Sequence, residues 1–95
     1  MAEKIEGRIA SVSAHGNLIS DISADQLAQV PHDQSVTVRC DEHETHGIFS
    51  SDHGEPQMTL LALVGNSGNL ELEIAGDSAQ IMLGISLGEK IVVTW

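Results

Sequence analysis

The sequence predicts an all-β fold: a compact antiparallel barrel or sandwich of about seven short strands with one or two short helical turns. Three observations carry this expectation. Apolar residues recur in short runs with a two-residue period, clearest where Leu70, Leu72 and Ile74 alternate with Glu71 and Glu73. Turn-forming residues punctuate the chain at close intervals, as in His15-Gly16-Asn17, Ser50–Gln57 and Gly65–Asn69. No stretch sustains a 3.6-residue period long enough to supply the crossover helices of a parallel sheet.

The elements follow in order. Lys4–Ala14 puts Ile5 and Ile9 on one parity and Val12 on the other, so it reads as a bent strand with a bulge. Leu18–Ser23 is a second strand, paired to the first across the His15-Gly16-Asn17 turn. Ser23 and Gln26 have capping-box spacing, with Pro31 as a stop, which allows one or two helical turns. "SVTVRC" and "THGIF" then form a hairpin whose loop is the polar segment between them, and "MTLLALV" is a buried strand. "LELEIA" points its leucines inward and its glutamates outward. "DSAQIMLG" is a capped helix of about two turns, starting at Asp77 or Ser78 and ending at Gly84, and "EKIVVTW" is the last strand.

Composition narrows the function. The 95 residues make one domain, too small for a deep cleft between two lobes. Acidic side chains number 14 against 4 basic ones, giving a formal charge of −10, and there is no Tyr on which to stack bases. Nucleic acid and anionic membrane surfaces are therefore not expected partners. The apolar runs are far shorter than the roughly 20 residues that cross a bilayer. A single cysteine and an N-terminus without a signal-peptide pattern lead to the expectation of a free-standing cytoplasmic module. Phe49, the sole Phe, reads as core, and Trp95 as a cap on the barrel or part of an oligomer interface.

The most chemically dense stretch is "CDEHETHG", Cys40–Gly47. Thiolate, imidazole and carboxylate are all zinc ligands, and Cys40, His43 and His46, with His53 from the next loop, form a conceivable set if the loop folds back. Neither a C-x-x-C pair nor an HExxH motif is present, and residues three apart on a strand point to opposite faces. The reading adopted is a solvated hairpin loop with no metal.

Two stretches carry a family resemblance. "GNLISDI", Gly16–Ile22, resembles the Gly-Asn-Leu-(Ile/Trp)-(Thr/Ser)-Asn-Ile motif of the S-adenosylmethionine hydroxide adenosyltransferases, relatives of the fluorinating and chlorinating enzymes. "LLALVGNSGNLELEIAGDSAQIMLGISLGEKIVV" is similar to the same family's C-terminal pattern of apolar strand, Ser-Gly turn, Leu-Glu strand and Ser-Ala helix. Both belong to that family's C-terminal domain, so the resemblance implies a Greek-key antiparallel barrel over nearly the whole chain. It also implies the adenine side of a nucleoside pocket. Asn17 matches the Asn that hydrogen-bonds the adenine edge, and Ser67 and Gly68 match the turn whose backbone lies against the base. His15 stands where the motif has Phe, Asp21 where it has Asn, and Glu73 and Ala75 where the family has Ala and Asn.

The family's N-terminal domain, which holds the reacting groups, has no counterpart in these residues, so the resemblance implies no hydrolysis of S-adenosylmethionine by this chain alone. Three readings are open at this point. One is a non-catalytic module that binds S-adenosylmethionine or adenosine or assembles with a partner. Another is one subunit of a split enzyme, completed by a separate partner similar to the N-terminal domain. The third is a structural homo-oligomer whose pocket has decayed.

Overall fold

A computed structural model describes residues 3–50, 53–65 and 67–95. Ser51 and Asp52, in the predicted turn Ser50–Gln57, and Asn66, in the predicted turn Gly65–Asn69, lie outside the described residues. The described residues form eight strands and one helix: β1 Lys4–Val12, β2 Leu18–Ser23, β3 Thr37–Cys40, β4 His43–His46, β5 Ile48–Ser50, β6 Leu60–Val64, β7 Asn69–Ile74, α1 Ala79–Leu83 and β8 Lys90–Thr94. They make one sheet in the order β4-β3-β8-β1-β2-β7-β6-β5.

The sheet is a nearly closed barrel. β4 and β5 lie at its two ends, yet only Gly47 separates them in sequence, so the two edges must meet in space. Gly47 makes the break with φ of +86°, a backbone region that side-chain-bearing residues rarely adopt. A hydrogen bond from the Thr45 hydroxyl to the Leu60 carbonyl, 3.1 Å, stitches β4 to β6 across the seam. Inside lies an aliphatic core that includes Ile9, Leu18, Leu72, Ile91 and Val93. Trp95 packs against this core.

Several expectations hold. β1 carries its bulge between Ile9 and Ser11, which lets Val12 pack against the same core as Ile9 despite the broken parity. α1 is N-capped by Ser78, whose hydroxyl accepts from the Ile81 N–H, and ends at Gly84 with φ of +66°. Ser23 and Gln26 exchange the bonds of a capping box, but Ala24–Gln29 forms successive i→i+3 turns and no α-helix.

Three expectations need correction. First, "CDEHE" is not a hairpin loop. The turn is only Asp41-Glu42, with Asp41 at φ of +56°, so Cys40 ends β3, pairs with His43, and "HETH" is strand β4. Second, the run "THGIF" is two strands broken at Gly47, which raises the count from seven to eight. Third, the barrel is not wholly antiparallel, because β5 runs parallel to β6. A parallel neighbour requires the chain to travel back before re-entering the sheet. The returning segment, described from His53 to Thr59, brings His53 to Glu73 on the outer face of β7 and then continues the β6–β7 ladder, where Met58 N–H donates to the Ala75 carbonyl at 2.7 Å and Ala75 N–H to the Thr59 carbonyl at 3.0 Å. A second cluster, separate from the barrel core, is made of Leu61, Leu63 and Ala75, with Phe49 of β5 packed against it. Among the described residues, no helix is long and apolar enough to cross a membrane.

Candidate functional site

The outer face of β7 carries the site. On β7, Glu71 and Glu73 point away from the core as the alternation predicts, but Glu71 is only 5% exposed and Glu73 is half-buried. A carboxylate so placed needs hydrogen-bond donors, because burying an uncompensated charge is very costly. The donors come from both sides. β2 pairs with β7 in the register Leu18 to Leu72 and Ile19 to Glu71, which brings Asn17, just before β2, alongside the glutamate row.

Asn17 is itself positioned by a tight turn. Its N–H donates to the Ser13 hydroxyl at 3.1 Å, and its carbonyl accepts from the Ser13 N–H at 2.9 Å. Gly16 has φ of +89°, and any Cβ there would fall against Ser78, the cap of α1. The Gly16 carbonyl also accepts from Gln80 N–H at 2.9 Å, so the helix start braces the turn.

From this position the Asn17 amide nitrogen bridges the two carboxylates. Nδ2 donates to Glu71 Oε1 and to Glu73 Oε1, each at 3.1 Å. The other oxygens are taken as well. Ser67 Oγ donates to Glu71 Oε2 at 2.7 Å, and His53 Nε2 lies 2.6 Å from Glu73 Oε2. His53 Nδ1 already accepts the Glu55 N–H at 2.8 Å, so the ring proton sits on Nε2 and is the one donated to Glu73. Phe49 meets the imidazole edge-on, with ring centroids 6.3 Å apart. With both ring nitrogens engaged, His53 is a positioning group here, not a free base.

Two connected hollows open on this network. One, of about 240 Å³, is lined by Asn17, Ser67, Gly65, Glu71 and Glu73; the other, of about 410 Å³, by Asn17, Glu73, Ile74, Gly76, Asp77 and Ser78. His15 lies on the rim of both. Clefts of a few hundred Å³ with a few convergent polar groups are the usual form of small-molecule sites. Asn17 and Ser67, singled out from separate sequence motifs, therefore converge on one hollow through Glu71. Gly68 is placed differently. A Cβ there would meet open space, and its requirement is the φ of +79°. The glycine that allows close approach is Gly65, where a Cβ would stand 2.6 Å from Glu71 Oε2.

Read from the sequence alone, Glu71 and Glu73 have no holding role and His53 figures only as a metal ligand. The one signal was Glu73 itself, a carboxylate where the family pattern has Ala.

Cys40, His43 and His46 do not converge. The Cys40 thiol is buried in the core, and burial pushes its pKa up to about 11, so it is a neutral thiol near pH 7. His43 reaches the Leu83 carbonyl at the end of α1, 3.2 Å away, and His46 the Thr37 hydroxyl at 3.2 Å. Among the described residues, no three of His, Cys, Asp and Glu are grouped to hold a metal.

Comparisons with known proteins bear on the whole chain. The family model for the SAM hydroxide adenosyltransferase C-terminal domain matches residues 7–92. No curated protein matches. Among solved structures, the chain is similar to an uncharacterized conserved protein from Thermotoga maritima, with TM-score 0.78 and 24% identity, covering 95% of this chain and 35% of that one. It is also similar to a conserved hypothetical protein from Thermus thermophilus, with TM-score 0.72 and 20% identity, covering 93% of this chain and 34% of that one. These likenesses show the fold, and the chain spans about a third of the length of each of these structures.

Proposed function

Because the chain belongs to the SAM hydroxide adenosyltransferase C-terminal domain family, we propose that its cleft beside Asn17 binds the adenine end of a nucleoside, S-adenosylmethionine or adenosine. In this reading the domain is not catalytic by itself. The groups that act on the ligand come from another domain, matching the two-thirds of the solved relatives' length that this chain does not span. One observation carries the reading: Asn17 and Ser67, remote in sequence, line one hollow, and Asn17 also lines the larger hollow of about 410 Å³ beside it.

Titration calorimetry with S-adenosylmethionine and with adenosine tests it. Heat of binding that is lost in Asn17→Ala supports the pocket, and silence with both ligands ends the reading. If the chain is part of a split enzyme, a partner resembling the N-terminal domain co-purifies with it and restores hydrolysis.

A second reading, a structural oligomer with a decayed pocket, is favoured by a specific observation. Ile81, Met82 and Leu87 are large, apolar and exposed on or just after α1, whose cap Ser78 lines the larger hollow. Exposed apolar residues so close in sequence suit a protein partner or a second copy. Self-association by light scattering, abolished by Ile81→Lys and combined with no ligand heat, selects that alternative. A cytoplasmic home fits the buried, protonated Cys40, which needs no oxidising environment.

A further inference from the structure

We infer that Glu71 and Glu73 set the ligand selectivity of this cleft by fixing which way round the Asn17 amide sits, so that Asn17 presents only a hydrogen-bond acceptor. The inference rests on the nucleoside reading above and concerns the same site.

A free carboxamide offers a donor and an acceptor side by side and can turn over to suit its partner. Asn17 does not have that freedom. Its outer amide atom lies 3.1 Å from one oxygen of each glutamate, and carboxylates accept only. An oxygen in that place would face two carboxylate oxygens at hydrogen-bond distance with no proton between, so the atom is nitrogen. Both of its hydrogens are spent. No described residue donates to Oδ1, so the acceptor is what the amide has left to offer a ligand.

The glutamates cannot easily release the lock, because each is held from its far side. Ser67 Oγ donates to the second oxygen of Glu71, and His53 Nε2 to that of Glu73. Glu71 also lies close against Gly65, where an added Cβ would stand 2.6 Å from its Oε2. The cleft therefore selects a base edge that carries an amino group. A purine identical in shape but lacking the amine presents only ring-nitrogen acceptors at that edge, and these face Oδ1 with no proton to share.

The test compares adenosine with purine riboside, its analogue without the 6-amino group, by calorimetry on the wild-type chain and on the double variant Glu71→Gln/Glu73→Gln. An unpaired polar contact of this kind corresponds to about a 10- to 100-fold loss of affinity. Wild type is expected to prefer adenosine by that factor. In the double variant the glutamine amides supply donors as well as acceptors, Asn17 is free to turn, and the preference is expected to shrink several-fold. Circular dichroism shows whether the double variant folds; the wild-type ratio stands without it. Equal binding of the two ribosides by wild type overturns the selectivity inference and leaves the nucleoside pocket intact. An undiminished preference in a folded double variant overturns the role of the glutamates. Binding of neither riboside overturns the nucleoside reading, and this inference with it.

Discussion

Gly65→Ala and Gly68→Ala make a paired test of how the site is held. The two glycines flank one turn, and the structure assigns them opposite roles. At Gly68 an added methyl meets nothing within 4 Å, so the cost is only that of holding Ala at φ of +79°, about 1–2 kcal/mol. Gly65 has no positive φ, and Gly→Ala at such a position ordinarily stabilises by about 0.4–1 kcal/mol through the unfolded chain. Here the new Cβ would stand 2.6 Å from Glu71 Oε2 and 3.0 Å from Cδ, so the carboxylate must leave its place. Leaving breaks the bonds from Ser67 and Asn17, each worth about 1.5–3 kcal/mol because the acceptor is charged. The net expectation is a loss of about 2–5 kcal/mol for Gly65→Ala, which in a domain of this size lowers Tm by about 10–30 °C. Urea unfolding of the two variants beside wild type gives the measurement. Gly65→Ala at or above wild-type stability would refute the claim that Glu71 is pinned against the turn, and with it the basis for a fixed Asn17 amide.

Other expected outcomes follow from the same structure. Leu18→Ala empties a fully buried core position on β2 and is expected to cost about 2–5 kcal/mol, read by chemical denaturation with an unchanged m-value. Ser78→Ala removes the N-cap of α1 and should cost about 1 kcal/mol, with a loss of hydrogen-exchange protection at the Ile81 amide. The Cys40 thiol has its pKa raised to about 11 in the fold from an ordinary value of 9.0, so the fold favours the protonated form. That contribution is complete below pH 9 and is lost as pH rises towards 11; wild-type stability should decline over that window, and the decline should be shallower in Cys40→Ala. Native Cys40 should also resist thiol reagents at about pH 8 and react at once in denaturant; prompt labelling of the native protein contradicts its burial. Nitrogen-15 spectra should show His53 with its proton on Nε2, and a proton on Nδ1 would contradict the bond from Glu55 N–H.

Much of the fold was legible because its signals are local. Strand alternation, the Ser78 cap and Gly84 terminus of α1, and the β1 bulge all depend on neighbours within a few residues, and all appear where expected. The family's motif likewise singled out Asn17 and Ser67, which share Glu71 as hydrogen-bond partner. The misplaced loop at "CDEHE" had a local cause too: a turn of only two residues, with Asp41 left-handed, is easily hidden inside a polar run.

What residues 1–95 determine by themselves, then, is the class: short aliphatic strands, close turns, an acidic surface and a family motif. Only the tertiary structure decided that Gly47 sends consecutive strands to opposite edges, closing the barrel, and that β5 lies parallel to β6. That pairing returns the chain through His53, which holds Glu73, while Ser67 holds Glu71, so that two apparently solvated glutamates become a held pair beside Asn17. The alternation of a strand specifies which face a side chain takes. Whether that face meets water or protein depends on segments far away in sequence, and no local pattern records it.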